Sequence, residues 1–190
     1  MNDEIALVDL DDRITGYALK ADVHRDGLLH RAFSIFITNG SEMLLQRRNV
    51  RKYHSGGLWS NACCSHQRRE EELEEAVHRR LREELGFDCE LRESFRFVYR
   101  TEFRNGLTEY EYDHVFVGRY DGPVTADPEE AEEIMWVPFG ELKARLGTSP
   151  EEFSSWFVIS APAVLASLER RRKYLSSYRY ITKRPGSVNA

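Results

Sequence analysis

The chain has 190 residues, of which 41% are hydrophobic and 12% aromatic, so it can bury a substantial core and is expected to form one domain. Its formal net charge of -5, with both signs interspersed, argues against a dedicated nucleic-acid binder, which normally carries a basic stripe. The acidic N-terminal segment has no secretion-signal pattern, and no apolar run approaches the roughly 18 residues of a membrane span. Three cysteines, two of them adjacent, make a poor disulfide framework. We therefore expect a cytoplasmic protein in a reducing compartment.

The first predicted element is a β-hairpin. Residues 33–37 are rich in β-formers, and Asn39-Gly40 separates them from the apolar residues 43–45. Residues 70–85 then carry apolar side chains with a helical period, at positions 73, 76, 77, 81 and 85. Gly86 follows where a C-terminal cap is expected, so this segment is predicted to be a helix.

The second half of the chain predicts another hairpin and two helices. Two β-rich runs between residues 95 and 120 flank Asn105-Gly106. Helices are predicted over residues 138–146 and 162–175, and residues 182–190 have little to bury and are expected to be disordered. Strands on both sides of a central helix, with more helix at the end, indicate a single mixed α/β domain over residues 1–181.

The first predicted helix carries a spaced pattern of charges. Glu71 is followed by seven residues and then by Arg79, and the sequence continues Arg-Leu-Arg-Glu-Glu-Leu-Gly-Phe over residues 80–87. This pattern resembles the Nudix box, which reads Gly, five residues, Glu, seven residues, Arg-Glu, an apolar residue, any residue, Glu-Glu, any residue, Gly and an apolar residue. Ser65 stands where the first Gly belongs, and Arg80 replaces the Glu of Arg-Glu. The second departure removes one carboxylate that hydrolytic members use to gather magnesium, which argues against diphosphate hydrolysis.

The alternative interpretation of this helix is purely structural. Charged amphipathic helices often carry i,i+4 ion pairs on a solvated face, and Arg79 with Glu83 and Arg80 with Glu84 have that spacing. Because Arg80 and Glu84 share a face, however, a cation for phosphate oxygens and a carboxylate for Mg²⁺ could also converge on one ligand.

A second group of residues lies outside the helix. It comprises His24, His30, the run Asn-Ala-Cys-Cys-Ser-His over residues 61–66, and Glu109-Tyr110-Glu111. Together these residues resemble type 1 isopentenyl diphosphate isomerase, a family that uses the Nudix fold for an allylic proton shift. The resemblance extends from about Leu7 to at least Trp156. It implies a mixed β-sheet flanked by helices, with an extra N-terminal hairpin region and a C-terminal helix.

The resemblance implies a metal site, whose protein ligands would be His24, His30, His66, Glu109 and Glu111. Three imidazoles and two carboxylates suit Mn²⁺, Mg²⁺ or Zn²⁺ and require no thiolate. The two glutamates are two residues apart on a predicted strand and therefore point to the same face, although ordinary charges on an exposed strand would look the same. The remaining histidines match no ligand position and are interpreted as surface or structural residues, namely His54, His78 and His114.

Cys64 and Glu111 are the expected catalytic pair by the same resemblance. Isomerisation of an alkene adds a proton at one carbon and removes another two carbons away, so two groups must flank a flat, apolar substrate. A thiol near cationic groups can shift toward the thiolate, and a carboxylate beside a metal can hold or release a proton. The alternative for Cys64 is a small buried hydrophobe, a role that Cys63 fits better because the family's reactive thiol directly precedes Ser65-His66.

Two aromatic residues complete the implied catalytic site. Tyr99 matches the family tyrosine that hydrogen-bonds the catalytic carboxylate, and Trp156 matches a tryptophan whose face stabilises a carbocation. A two-residue turn at Asn105-Gly106 would put Tyr99 on the face away from Glu111, whereas a three-residue loop over residues 104–106 would pair them. We predict the longer loop, with Gly106 in a left-handed conformation that forms a bulge. Trp156 could instead be a core or helix-packing residue, as expected for Trp59 and Trp136.

The resemblance also implies a site for the substrate diphosphate. Arg48, Lys52 and Arg80 would bind it, with Lys20 near it. Glu84 would hold a substrate-bound Mg²⁺ together with the backbone carbonyl of Cys64. For Lys20 and Lys52, the alternative is an ordinary surface cation.

The leading hypothesis is therefore the reversible conversion of isopentenyl diphosphate to dimethylallyl diphosphate in isoprenoid biosynthesis, with Cys64 and Glu111 on opposite faces of the isoprene unit. Mg²⁺ would accompany the substrate, and Mn²⁺, Mg²⁺ or Zn²⁺ would bind the histidine and glutamate ligands. The second hypothesis is a Nudix hydrolase of a nucleoside or other small diphosphate, and the third is a catalytically silent, metal-stabilised binding module. We expect a monomer or a weak homodimer, with no nucleic-acid or membrane partner.

Overall fold

The computed structural model describes residues 4–182, with side chains through Arg171 and at Tyr174, and within this range the chain forms nine β-strands and four α-helices. The strands are β1 (Glu4–Val8), β2 (Ile14–Leu19), β3 (His30–Thr38), β4 (Glu42–Arg48), β5 (Trp59–Ser60), β6 (Cys63–His66), β7 (Leu91–Glu102), β8 (Thr108–Arg119) and β9 (Ala131–Pro138). The helices are α1 (Lys20–Asp26), α2 (Leu73–Leu85), α3 (Phe139–Thr148) and α4 (Ser155–Thr182).

Strand β3 is the centre of a mixed sheet. It pairs in parallel with β8 along its whole length, so that His30 lies opposite Glu111. Along its other edge β3 meets β1, β6 and β4 in turn, all antiparallel. The sheet is extended by β2 on β1, by β7 on β8, and by β5 and β9 on β4. This arrangement confirms the predicted mixed α/β class, and the β1–β2 pair is the expected N-terminal hairpin.

Apolar side chains from the sheet pack on both of its faces. Phe36 belongs to a core that contains Phe157 of α4, whereas its neighbours Ile35 and Ile37 belong to a second core that contains Leu81 of α2. The alternation follows from the two-residue period of a strand. Each of these fully buried side chains contributes about 1.5–3 kcal/mol of hydrophobic stabilisation, so both layers hold the sheet in place.

Helix α2 confirms the predicted central helix but begins at Leu73, three residues later than the expected residue 70. Glu72 is the N-cap and forms a capping box with Glu75, which satisfies two backbone N–H groups that the helix leaves unpaired. At the other end Gly86 has a φ of 73° and ends the helix in the left-handed conformation predicted for it.

The predicted boundaries agree with the structure for α3 but not for α4. Helix α3 was predicted over residues 138–146 and spans Phe139–Thr148, with Pro138 as its N-cap, but α4 starts at Ser155 rather than at residue 162. The prediction placed Pro162 at a helix start, whereas it lies inside α4, where burial of Trp156 and Phe157 offsets the missing backbone hydrogen bond. Helix α4 also includes Thr182, and the rest of the expected tail, residues 183–190, lies outside the described residues. Over residues 4–182, no helix is long and apolar enough to cross a membrane.

The β7–β8 hairpin has the three-residue loop predicted from its sequence. The N–H of Phe103 donates to the carbonyl of Leu107 at 2.9 Å, and the N–H of Gly106 donates to the carbonyl of Phe103 at 3.0 Å. Gly106 has a φ of 82°, the left-handed conformation that this loop type requires. As a result Tyr99 lies directly opposite Glu111, and the predicted register is confirmed.

Candidate active site and metal centre

Five buried side chains converge at one end of the β3–β8 pair. One ligand atom from each lies within 4.8 Å of all the others. The set consists of His24 on α1, His30 on β3, His66 on β6, and Glu109 and Glu111 on β8. The structure therefore brings together all five side chains that the family resemblance proposed as metal ligands.

Backbone carbonyls orient two of the three imidazoles. Nδ1 of His24 donates to the carbonyl of Lys20 at 2.6 Å, and Nδ1 of His30 donates to the carbonyl of Leu28 at 2.9 Å. Each hydrogen bond leaves Nε2 without a proton in the neutral ring, so that its lone pair is available to a metal. Strand pairing positions the third imidazole, because β6 pairs with β3 so that His66 lies opposite Ala32.

The cluster has the properties of a cation site. Nε2 of His30 is fully buried, yet it lies 3.7 Å from Glu109 and 3.6 Å from Glu111, beyond hydrogen-bonding distance. Burial and the neighbouring charge of Glu109 raise the pKa of Glu111 to about 7. A divalent cation would satisfy the orphaned nitrogen and relieve the repulsion between the carboxylates, so these residues could hold a metal ion.

A small cavity of about 40 Å³ adjoins this cluster. Its wall includes all four residues expected to be catalytic, namely Cys64, Tyr99, Glu111 and Trp156. The hydroxyl of Tyr99 donates to Oε2 of Glu111 at 2.6 Å. A hydrogen bond fixes the ring of Trp156, because its Nε1 donates to Oδ1 of the buried Asn61 at 3.1 Å. Trp156 is therefore both a cavity residue and part of the core beneath α4.

The two adjacent cysteines occupy different environments. Cys64 faces the cavity, with Nη1 of Arg48 at 3.6 Å from its sulfur. Burial raises the pKa of the Cys64 thiol to about 12 in spite of Arg48, so the expected shift toward the thiolate is not found and the sulfur keeps its proton. Cys63 is fully buried in the core against α2, as predicted for a structural cysteine.

A second, larger cavity of about 210 Å³ adjoins the first, and five of its lining side chains are cations. Lys20, Arg48 and Cys64 line both spaces. All four cations expected to bind a diphosphate lie on its wall, namely Lys20, Arg48, Lys52 and Arg80. Arg68 also lines it and was not predicted. The larger cavity therefore suits a strongly anionic ligand, and it shares lining residues with the small cavity beside the five-residue cluster.

Glu84, the expected ligand of a substrate-bound Mg²⁺, lies behind Arg80. Its carboxylate forms an ion pair with Arg80 and accepts a hydrogen bond from Gln46 at 3.3 Å. Burial raises the pKa of Glu84, although Arg80 opposes the shift. The i,i+4 pairs considered for this helix are both formed. Arg79 pairs with the exposed Glu83, whereas Arg80 pairs with Glu84, which is only 2% exposed, so the second pair does not lie on a solvated face.

His54 is a site residue that sequence reasoning missed. It was interpreted as a surface or structural residue, but the structure places it on the wall of the small cavity, with Nε2 in contact with Glu109. Its ring stacks on Phe103 at a centroid distance of 4.4 Å. The interpretation holds for the other two histidines, since His78 pairs with Asp88 near the surface and His114 is buried between two carboxylates.

Tyr53 and Glu130 also line the cavities without having been predicted. Both lie in irregular segments, Tyr53 in the loop before β5 and Glu130 directly before β9, where no periodic pattern reports the direction of a side chain. The only sequence signal was proximity, because Tyr53 and His54 follow Lys52 directly. The structural tryptophans behave as expected, with Trp59 and Trp136 packed against the two cores.

Comparisons with known proteins agree with this geometry. A family model described as a NUDIX domain matches residues 28–157. Isopentenyl-diphosphate Delta-isomerase 2 of Aromatoleum aromaticum is 49% identical over 87% of this chain and 88% of its own length. Isopentenyl-diphosphate Delta-isomerase of Burkholderia multivorans is 48% identical over 83% of this chain and 90% of its own length. The crystal structure of the MutT protein of Methanosarcina mazei is similar in fold, with a TM-score of 0.58 and 21% identity over 76% of this chain and 96% of that one.

Proposed function

The chain belongs to the NUDIX family and, within it, to the isopentenyl-diphosphate Delta-isomerases, and from that premise we propose that it interconverts isopentenyl diphosphate and dimethylallyl diphosphate. The observation that carries the proposal is the junction of the two cavities at Cys64. A diphosphate among the cations of the larger cavity would direct a short isoprene unit toward Cys64 and Glu111. Both the resemblance to this family and the predicted Nudix fold are confirmed.

Cys64 and Glu111 are the proposed proton carriers. In the forward direction one group protonates the terminal alkene carbon, and the other removes a proton from the carbon next to the diphosphate-bearing carbon, so that the double bond moves and the net proton count is unchanged. The buried, protonated thiol of Cys64 suits the donor role. The hydrogen bond from Tyr99 fixes the orientation of the Glu111 carboxylate. The direction of the reaction decides which group acts first.

Trp156 is proposed to stabilise the tertiary carbocation between the two proton transfers. An aromatic face attracts a cation without a lone pair that could capture it. The ring is fixed by Asn61, and the guanidinium carbon of Arg48 lies over it at 5.0 Å from the ring centroid, so the ring already interacts with a positive charge. The protein can therefore lower the energy of the cation without adding a competing nucleophile.

Two kinds of cation are proposed for the site. The five-residue cluster would hold Mn²⁺, Mg²⁺ or Zn²⁺, which when bound would keep Glu111 ionised and fixed in place. Glu84 and the backbone carbonyl of Cys64 are the proposed ligands of a Mg²⁺ that accompanies the diphosphate. Arg80 pairs with the Glu84 carboxylate in this structure, so Glu84 would share its charge between Arg80 and that Mg²⁺.

Proton exchange in deuterated water tests the proposal. The purified protein is incubated with isopentenyl diphosphate and Mg²⁺, and the products are examined by ¹H and ³¹P NMR. We expect dimethylallyl diphosphate with deuterium incorporated, and roughly 10²–10⁴-fold less of it with Cys64→Ser. Cys63→Ala is the matched control and should retain activity, because Cys63 lies in the core. Release of phosphate would favour the hydrolase hypothesis, and binding with neither exchange nor product would favour the silent binding module.

A further inference from the structure

Glu130 is the one acidic residue on the wall of the cationic cavity, among the residues that the structure describes there. Its Oε2 is in contact with Nζ of Lys52, and its Oε1 accepts a hydrogen bond from Nη2 of Arg80 at 3.0 Å. The two cations that it bridges are both proposed ligands of the substrate diphosphate. Glu130 therefore pairs with the same two cations that a bound diphosphate would need.

The backbone of Glu130 holds the carboxylate at this point. Its N–H donates to the carbonyl of Asp127 at 3.0 Å, and its carbonyl accepts a hydrogen bond from the N–H of Asn49 at 2.9 Å. Burial acts to raise the pKa of Glu130, but Lys52 and Arg80 lower it below its ordinary value. The carboxylate is thus ionised at neutral pH, and Glu130 is held by hydrogen bonds at its backbone and by ion pairs at its side chain.

We propose that Glu130 is a displaceable counter-ion that occupies the diphosphate position in the empty enzyme and exchanges its two cations for phosphate oxygens when substrate binds. This inference rests on the proposed function, since it takes a diphosphate ester as the ligand. The exchange has two consequences. Glu130 keeps Lys52 and Arg80 oriented toward the cavity, and it competes with the bound diphosphate, which weakens binding and speeds product release.

The competing role for Glu130 is that of a second Mg²⁺ ligand beside Glu84. Arg80 connects the two carboxylates, because it forms an ion pair with each of them. The two roles predict opposite effects on affinity. Removing a competing anion strengthens diphosphate binding whether or not Mg²⁺ is present, whereas removing a metal ligand weakens binding only when Mg²⁺ is present.

Isothermal calorimetry with inorganic pyrophosphate distinguishes these roles without any turnover. The measurements compare the metal-loaded wild-type protein, Glu130→Gln and Glu129→Gln, each with and without added Mg²⁺. Glu129 is the matched control, because it is the preceding residue but pairs with the exposed Arg51 at 2.8 Å, outside the cavity. Thermal unfolding of each variant verifies that it is folded.

We expect Glu130→Gln to bind pyrophosphate roughly tenfold more tightly than wild type in both conditions, which is about the effect of one hydrogen-bonded charge pair. In the Lys52→Ala background the gain should shrink, because Lys52 is one of the two cations that Glu130 occupies. With isopentenyl diphosphate, KM should fall, and kcat should fall with it if product release becomes slower. Glu129→Gln should match wild type throughout.

If the wild type binds pyrophosphate, two results would overturn the inference without affecting the proposed function. One is an unchanged affinity in Glu130→Gln, and the other is a loss of affinity that appears only with Mg²⁺. A wild-type protein that binds no pyrophosphate would instead overturn the diphosphate site of the proposed function, and the inference with it. If Glu130→Gln does not fold, Glu130→Ala gives the same test. It also removes the competing charge, so its affinity for pyrophosphate should exceed that of wild type, and an unchanged affinity would overturn the inference.

Discussion

The phenol of Tyr99 is buried against Glu111 and keeps its proton, because burial and the nearby carboxylates raise its pKa well above the ordinary value. A neutral donor in this position stabilises the ionised carboxylate and restricts its rotation. Tyr99 thus acts on the reaction through Glu111 and is a positioning residue in the proposed mechanism.

Tyr99→Phe should lower kcat by roughly 10–100-fold, the effect of losing one hydrogen bond to a charged group, with little change in KM. Steady-state assays of isopentenyl diphosphate turnover measure both parameters. Tyr112→Phe is the control, since Tyr112 lies next to Glu111 on the strand and points to the opposite face. An equal loss in both variants would show that the effect is not specific to the hydrogen bond.

His54 touches Glu109 from outside the proposed ligand set, as outer groups around metal sites commonly do. His54→Phe keeps an aromatic ring on Phe103 but removes the nitrogen, so we expect metal affinity to fall by roughly 10–100-fold. Calorimetric titration of the metal-free protein with Mn²⁺ measures this directly. His78→Phe should leave the affinity unchanged, and a Mn²⁺ affinity in His54→Phe equal to that of wild type would contradict the prediction.

For individual residues, the sequence predicted which side chains belong to the site better than it predicted which side chains touch each other. The proposed ligand and catalytic residues were predicted because their types and spacing form a family pattern, and the structure brings them together. The contact between His54 and Glu109 was not predictable, since it arises where the loop before β5 packs on Phe103 in the β7–β8 hairpin. No local signal encodes a meeting of two irregular segments that lie far apart in the sequence.

The loop of the β7–β8 hairpin sets the register of the site, and Gly106 is the residue that permits it. A Cβ at Gly106 would meet no atom within 4 Å, so any cost of Gly106→Ala is backbone strain at its φ of 82°. We expect a loss of about 1 kcal/mol in the free energy of unfolding, measured by urea denaturation. Gly140 in α3 has the same open surroundings without a positive φ, so Gly140→Ala should be neutral or stabilising.

Local patterns also explain why one helix was predicted well and another was not. Helix α2 has a regular apolar period and a glycine cap, and only its first turn differed, because Glu72 and Glu75 form the cap. Helix α4 begins at Ser155 because tertiary packing of Trp156 and Phe157 overrides the signal of Pro162. Propensity at a helix start is weak evidence when the neighbouring side chains enter a core.

The five-residue cluster that could hold a metal ion joins elements that are distant in the sequence, since its side chains come from α1, β3, β6 and β8. A cation that binds only the folded state stabilises it, by about 2.7 kcal/mol at a hundredfold excess over Kd. We expect removal of the metal with EDTA to lower Tm by roughly 5–10 °C, and Mn²⁺ to restore it. Differential scanning calorimetry measures the shift. An unchanged Tm would argue that the cluster holds no structural cation.

The sequence indicated the class of the fold but not the order of its strands. Hairpins are local, and both predicted hairpins are present. The parallel pairing of β3 with β8 is not local, and it alone places His30 opposite Glu111. Only the resemblance to a known family linked these two residues before the structure did, because spacing within a strand says nothing about which distant strand lies beside it.

That parallel pairing also bears on how the protein matures. On the ribosome, His24 and His30 emerge well before Glu109 and Glu111, and at typical translation rates the interval is on the order of ten seconds. During that time the two imidazoles lack the carboxylates of Glu109 and Glu111. A complete ligand set forms only when β8 has been synthesised and has docked along β3. Metal loading is therefore expected to follow synthesis of the sheet, and the nascent chain should bind divalent cations weakly until then.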